Sequence, residues 1–228
     1  MLLKYIVNNF KSIGRSVEFS MMPSSENIDE KFLTKLHTKH GDIDVLRRGA
    51  FFGPNASGKT TFIESIYFAR NYIVESQKSE KRTGVPQFKG DIDDLHGMSL
   101  FQFVFYLDEN IYEYGFSLTV DRVAEEWLMI HTNKGFVPMF TRATNSDGIT
   151  DIDIESKFAT KKSSDRQLAE ILKRSINEKQ KNQLFLYKLK ENGIKKAEKI
   201  VDWFKQMQPI FPQSKIKALP IRIKRDED

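Results

Sequence analysis

Gly53-Pro54-Asn55-Ala56-Ser57-Gly58-Lys59-Thr60, followed by Thr61, is the stretch on which the reading of this chain turns. Its spacing is G-x-x-x-x-G-K-[ST], a pattern suited to holding phosphate. The glycines let the backbone curl so that successive N–H groups point inward and form an anion-binding nest. Lys59, the candidate catalytic residue, reaches across the loop towards β- and γ-phosphates, and the Thr60 hydroxyl is the candidate Mg²⁺ ligand. A helix opening at the end of the loop adds partial positive charge where phosphates sit. All nine residues, Gly53, Pro54, Asn55, Ala56, Ser57, Gly58, Lys59, Thr60 and Thr61, are therefore candidate nucleotide contacts.

The flanks supply context. Ala50-Phe51-Phe52 is a short apolar run that reads as a buried strand. Beyond the loop, Phe62, Ile63, Ile66, Tyr67 and Ala69 recur at helical spacing, so a helix is expected from Lys59 to the neighbourhood of Ser76. Strand, glycine loop, Lys-Thr and amphipathic helix is the order that phosphate binding requires.

Further out, Leu2–Val7 reads as a strand and Arg15–Ser20 as a half-buried one, with Asn9-Phe10-Lys11-Ser12-Ile13-Gly14 as the turn between them. Residues 23–44 read as a polar surface excursion with a short helix around Glu30–Leu36, and residues 77–99 as a loop. Phe101, Phe103 and Phe105 alternate with polar or smaller neighbours, then Asp108-Glu109-Asn110 turns the chain into Ile111–Leu118, a hairpin followed by a strand near Glu126–His131. Residues 141–164, rich in Thr, Ser, Asn and Asp, read as a long loop. Helices are expected over Asp165–Glu178, Gln183–Lys190 and Ile194–Met207, and the tail at 215–224 reads as a strand.

Composition bounds the class. The 228 residues are 39% apolar and 29% charged, the balance of a globular chain rather than a disordered one. The longest apolar run, Phe103–Leu107, is far short of a membrane span. The chain has no cysteine, which excludes disulfides and thiolate metal sites and suits a reducing cytoplasm. Net charge is +5, unevenly placed: residues 161–228 hold 18 Lys and Arg against 9 Asp and Glu, the other 160 residues 18 against 22. Such asymmetry suits either solvated helix faces or an anionic partner such as DNA. The histidines complete no metal motif: His37 and His40 lie in a polar stretch, and His96 and His131 stand alone.

The chain resembles the N-terminal half of an ABC-type ATPase head of the RecF, SMC and OLD kind, and in particular the bacterial AAA ATPases of that architecture. Three features carry the resemblance: the Asn9-Phe10-Lys11-Ser12-Ile13 turn after the first strand, the loop with Asn55 and Ser57, and Ile111-Tyr112-Glu113-Tyr114-Gly115-Phe116 with Glu125-Glu126-Trp127-Leu128. It implies an α/β P-loop NTPase fold of ABC/SMC-like type, with an antiparallel β subdomain and a helical C-terminal part. The expected division is an ATP-binding half-head over residues 1–160, with its hairpin region at 100–131, and a basic helical segment over 161–228. ATP and Mg²⁺ are the implied cofactors, and head dimerisation on nucleotide, homo- or hetero-oligomeric, is the implied assembly. The implied settings are DNA maintenance and phage defence. By the same analogy Lys11 and Ser12 border the nucleotide, and Gln87 is the candidate sensor of Mg²⁺ and attacking water.

The pattern is incomplete in the sequence given. It contains no Leu-Ser-Gly-Gly signature, and Asp108-Glu109, the one Asp-Glu pair after an apolar strand, reads as a hairpin turn. The chain therefore reads as a head that stops before its second half, binding nucleotide and hydrolysing it only with a partner. Two alternatives stay open: another P-loop class, a GTPase or nucleotide kinase, with Asp94-Leu95-His96-Gly97 fitting D-x-x-G; and a nucleic-acid or partner-binding module using the basic helices.

Overall fold

A computed structural model describes residues 1–24, 28–75, 82–90, 97–158, 163–179 and 181–210. Its strands are β1 (Leu2–Asn8), β2 (Val17–Ser20), β3 (Leu33–Thr38), β4 (Gly41–Leu46), β5 (Ser99–Leu107), β6 (Asn110–Leu118), β7 (Val123–Thr132), β8 (Gly135–Thr144) and β9 (Thr150–Ile154). The helices are α1 (Lys59–Val74), α2 (Ser164–Lys179), α3 (Phe185–Glu191) and α4 (Lys195–Gln206). Seven strands form one antiparallel sheet in the order β2-β1-β5-β6-β7-β8-β9, and β3-β4 is a separate hairpin.

Alternation builds the sheet. Tyr5 and Val7 of β1, Phe101, Phe103 and Phe105 of β5, and Tyr114 and Phe116 of β6 are fully buried beneath the helices, while their neighbours in sequence face the other way. Asp108 and Glu109, at φ 48° and 59°, form the two-residue turn between paired Leu107 and Asn110, matching a hairpin turn that needs positive φ at both positions. Gly115 is required by a close approach: a Cβ there would lie 2.2 Å from the Trp127 ring, whose Nε1 donates to Glu113 Oε1 at 2.9 Å. α1 contributes Phe62, Ala69, Tyr72 and Ile73 to the core, α3 Phe185, Leu186 and Leu189, and α4 Ile200, Val201 and Phe204. Phe204 packs edge-on against Phe103 and Phe105, so the C-terminal helices close over the same core as the N-terminal strand.

Three expectations are corrected. Ala50-Phe51-Phe52 is not a buried strand: Phe52 is 93% exposed and the segment pairs with no strand among the described residues. Apolarity alone does not make a strand; a ladder partner must be present. Residues 141–164 are not one loop, because β8 runs to Thr144 and β9 places Thr150, Ile152 and Ile154 inward between exposed aspartates. Residues 23–44 hold a single turn of 3₁₀ helix at Glu30–Phe32, then the strands of the β3–β4 hairpin, whose polar outward faces masked its period of two. The tail strand expected at 215–224 lies outside the described residues, as do Asp94, Leu95 and His96. No helix among the described residues is long and apolar enough to cross a membrane.

Candidate functional site

The phosphate-type loop sits where the sheet, the first turn and α1 meet. The turn after β1 is held by reciprocal bonds, Phe10 N–H to Ile13 O at 2.9 Å and Ile13 N–H to Phe10 O at 2.8 Å, with Asn9 and Lys11 at φ 53° and 50°. Asn9 is the hub of this turn. Its Oδ1 accepts from the Phe88 N–H at 2.9 Å, its Nδ2 donates to Met98 O at 3.1 Å, and its carbonyl accepts from Ser99 Oγ at 2.6 Å. The Lys11 N–H donates to Pro86 O at 2.7 Å. These bonds fix the turn beside α1, where Ser12 Oγ lies 2.8 Å from Thr61 Oγ1 and Lys11 Nζ 2.9 Å from Glu64 Oε2.

α1 is docked from beneath. Phe62 packs against Tyr5, Phe19 and Phe51. Ser65, fully buried, accepts from the Tyr5 hydroxyl at 3.0 Å and donates to Phe62 O at 2.6 Å. Burial without a charged partner raises the Tyr5 hydroxyl pKa well above its ordinary value, so it acts as a neutral donor. At the other end of α1, Arg70 donates to Phe204 O and Lys205 O at 3.2 and 2.9 Å, and Tyr72 to Asn182 O at 2.7 Å.

The loop rides on this rigid helix. Ala56 and Gly58 have φ 64° and 91°, and the Ser57 N–H donates to Pro54 O at 3.3 Å, giving the alternating hand that turns N–H groups towards one side. Gly58 is the N-cap of α1 and supplies no side-chain acceptor to the first helical turn. A side chain at Gly53 would collide with Ser57 Oγ, 2.7 Å from the ideal Cβ position. Lys59 Nζ folds back over the loop, donating to Gly53 O and Pro54 O at 2.7 Å each and to Ser57 Oγ at 3.3 Å.

A groove of about 590 Å³ runs between Ser12–Val17 and Phe51–Lys59. Of the nine sequence candidates, Gly53, Pro54, Ala56, Ser57, Gly58 and Lys59 line it; Asn55 and Thr60 are exposed beside it, and Thr61 is tied to Ser12. The dimensions suit a nucleotide, and the groups present suit a polyphosphate: a loop with left-handed Ala56 and Gly58, one lysine and a helix start without a side-chain cap. No group of three or more His, Asp or Glu able to hold a metal occurs among the described residues. An Mg²⁺ would therefore take the Thr60 hydroxyl together with phosphate oxygens and water, as Mg²⁺ does in nucleotide sites.

Other candidates lie elsewhere. Asp108 and Glu109 turn the far end of β5, nine residues from its start beside Asn9, or roughly 30 Å at strand rise. Asp108 there takes Lys199 Nζ at 2.5 Å. Gln87 donates to Gly97 O and does not line the groove. His37 pairs with Asp42 and His40 with Asn133, and His131 packs against the His40 ring, all about the tip of the β3–β4 hairpin.

Sequence reasoning missed a buried polar cluster. Glu126 on β7 lies directly across from Arg142 on β8, both with side chains wholly out of solvent, at 3.6 Å. The carboxylate accepts from the Tyr114 hydroxyl at 2.9 Å and from the Phe185 and Leu186 N–H groups at 2.6 and 2.9 Å, which open α3. Arg142 donates to Gln183 O and Lys181 O at 2.7 and 3.2 Å. Burial raises the carboxyl pKa despite the guanidinium, and lowers that of the guanidinium despite the carboxylate. The available signal was phase: Glu126 falls in step with inward Ala124 and Leu128.

Residues 50–190 match the family described as "AAA domain, putative AbiEii toxin, Type IV TA system". The chain belongs to this family. It is a P-loop ATPase family related to the ABC, SMC and RecF-like ATPases, and the α/β fold with its mostly antiparallel sheet agrees with that membership. The matched span of this AAA domain begins three residues before the loop and extends through α2 into α3. Membership supports nucleotide binding in general. No curated protein matches the chain.

Proposed function

We propose that the chain binds Mg·ATP through Gly53–Thr61 and forms the nucleotide-holding part of an ATPase head of the RecF/SMC/OLD kind. The observation that carries this is the loop geometry: left-handed Ala56 and Gly58, the backbone alternation of an anion-binding nest, with Lys59 Nζ held on the Gly53 and Pro54 carbonyls, within reach of phosphate. Lys59 then neutralises β- and γ-phosphate oxygens, while Thr60 orients the metal. Ser12, tied to Thr61, and Lys11, tied to Glu64, hold the opposite wall in place. Bound Mg·ATP supplies the transferable phosphoryl group and its neutralising charge.

Turnover on this reading needs groups from a complementing surface, by nucleotide-dependent dimerisation or from another segment. Two observations support it. No carboxylate lines the groove among the described residues, so nothing there orients an attacking water. The segment before the loop presents Phe52 to solvent, 93% exposed, with its backbone outside any ladder among the described residues, which suits strand pairing with another sheet. Phage defence and DNA maintenance remain the settings this reading suggests.

The test is calorimetric titration of ATP and of GTP with Mg²⁺, alongside turnover assays. Binding of ATP that Lys59→Ala weakens by about tenfold to a hundredfold, with little turnover by the chain alone, is expected. A strong preference for GTP overturns the assignment of the base, and rapid turnover by the chain alone overturns the need for a complementing surface.

A further inference from the structure

A second cleft, of about 400 Å³, shares no lining residue with the phosphate-loop groove. Ile28, Lys31, Phe32, Leu46, Arg47 and Arg48 line it, at the root of the β3–β4 hairpin. Phe32 is 54% exposed as a residue. The backbone holds the two sides together, with the Arg47 N–H donating to Phe32 O at 2.9 Å. Arg47 is also braced through Nε, which donates to Leu33 O at 2.7 Å and to Thr34 Oγ1 at 3.1 Å, so its terminal nitrogens are presented from a fixed stem. Lys31 Nζ sits over one face of the Phe32 ring, 4.9 Å from its centroid, and is matched by Asp29 at 2.6 Å, so a base would stack on the opposite face. Neither Arg47 nor Arg48 has an ion pair among the described residues.

The geometry points to a binding site for a nucleotide unit, a base with its phosphate. A flat exposed ring stacks a base, guanidinium forks match phosphate oxygens, and Ile28 and Leu46 offer an apolar floor. The volume suits one such unit. Asp29 and Glu30 sit in the same turn as Lys31, so the local field is weakly positive and recognition rests on the ring beside two arginines. A free nucleotide and a unit within a single strand share this chemistry. The inference stands apart from the reading of the phosphate loop.

The test uses the full chain carrying Lys59→Ala, without Mg²⁺ or ATP, and fluorescence anisotropy of a labelled oligothymidylate. Binding is expected, weakened about tenfold by Phe32→Ala and little by Phe32→Tyr. Arg48→Gln is expected to weaken it and lower the salt slope by about one. Circular dichroism checks that each variant is folded. Displacement by thymidine monophosphate at similar concentration identifies a free-nucleotide site, and resistance to it a strand site; both uphold the inference. Absence of binding, indifference to Phe32→Ala and Arg48→Gln, or equal displacement by polyglutamate overturns it. Loss of ATP binding at the phosphate loop leaves these outcomes unchanged, so the two readings fail separately.

Discussion

α1 and α3 begin in opposite ways. α3 starts against a carboxylate of the chain itself: Glu126 accepts from Phe185 and Leu186 N–H groups, in a site closed to water. α1 starts with Gly58, which offers no side chain, at the mouth of an open groove. Both helix starts favour negative charge for the same reason, exposed N–H donors and an aligned dipole. Where an anion is built in, the helix start is a joint in the structure. Where the sequence places glycine instead, the same donors are left to a ligand. The comparison separates what holds this fold together from what the fold presents.

The largest expected effect comes from removing the built-in anion. Glu126→Ala leaves Arg142 buried beside two unaccepted N–H groups and should cost about 3–5 kcal/mol in urea unfolding. Burial raises the Glu126 carboxyl pKa despite the guanidinium, and replacing a buried ion pair by apolar groups of similar volume is often close to neutral. A double Glu126→Leu, Arg142→Leu variant should therefore lose less than Glu126→Ala alone; a larger loss would break the comparison.

At α1, Lys59→Ala should weaken ATP binding by about tenfold to a hundredfold, the worth of a charge-assisted bond, as read by calorimetry. Its melting temperature should stay close to that of the parent, since its partners are three exposed oxygens of the loop. Gly58→Ala tests the cap itself. A Cβ there meets nothing within 4 Å, so the penalty is the φ of 91° alone, about 1–2 kcal/mol. It should appear as weaker ATP binding and slightly lower stability together. Phe52→Ser should be the mildest, changing the stability of the chain by less than about 0.5 kcal/mol. If the exposed segment pairs with another sheet, the same change should reduce nucleotide-dependent association seen by light scattering.

Local features were legible in the sequence. The loop, α1, the Asp108-Glu109 turn and the three C-terminal helices all depend on residues close together in the chain. What escaped the sequence depends on distant partners. Ala50-Phe51-Phe52 has the composition of a strand, but a ladder needs a neighbour. β8 and β9 hide because Thr, Asp and Arg serve as strand residues once half their faces are covered. Glu126 and Arg142 look like surface charges until the β7–β8 register sets them opposite each other. The turn at Asn9–Ile13 was legible as a turn, whereas the role of Asn9 in binding Phe88, Met98 and Ser99 was not.

On the proposed reading, backbone donors of the loop hold the phosphates of ATP. Amide hydrogen exchange with and without Mg·ATP tests it most directly. Slowed exchange concentrated in residues 53–62 is expected, with the α3 start at Phe185 and Leu186 unchanged because Glu126 already occupies it. Unchanged exchange across 53–62 at ATP concentrations that saturate binding would contradict it.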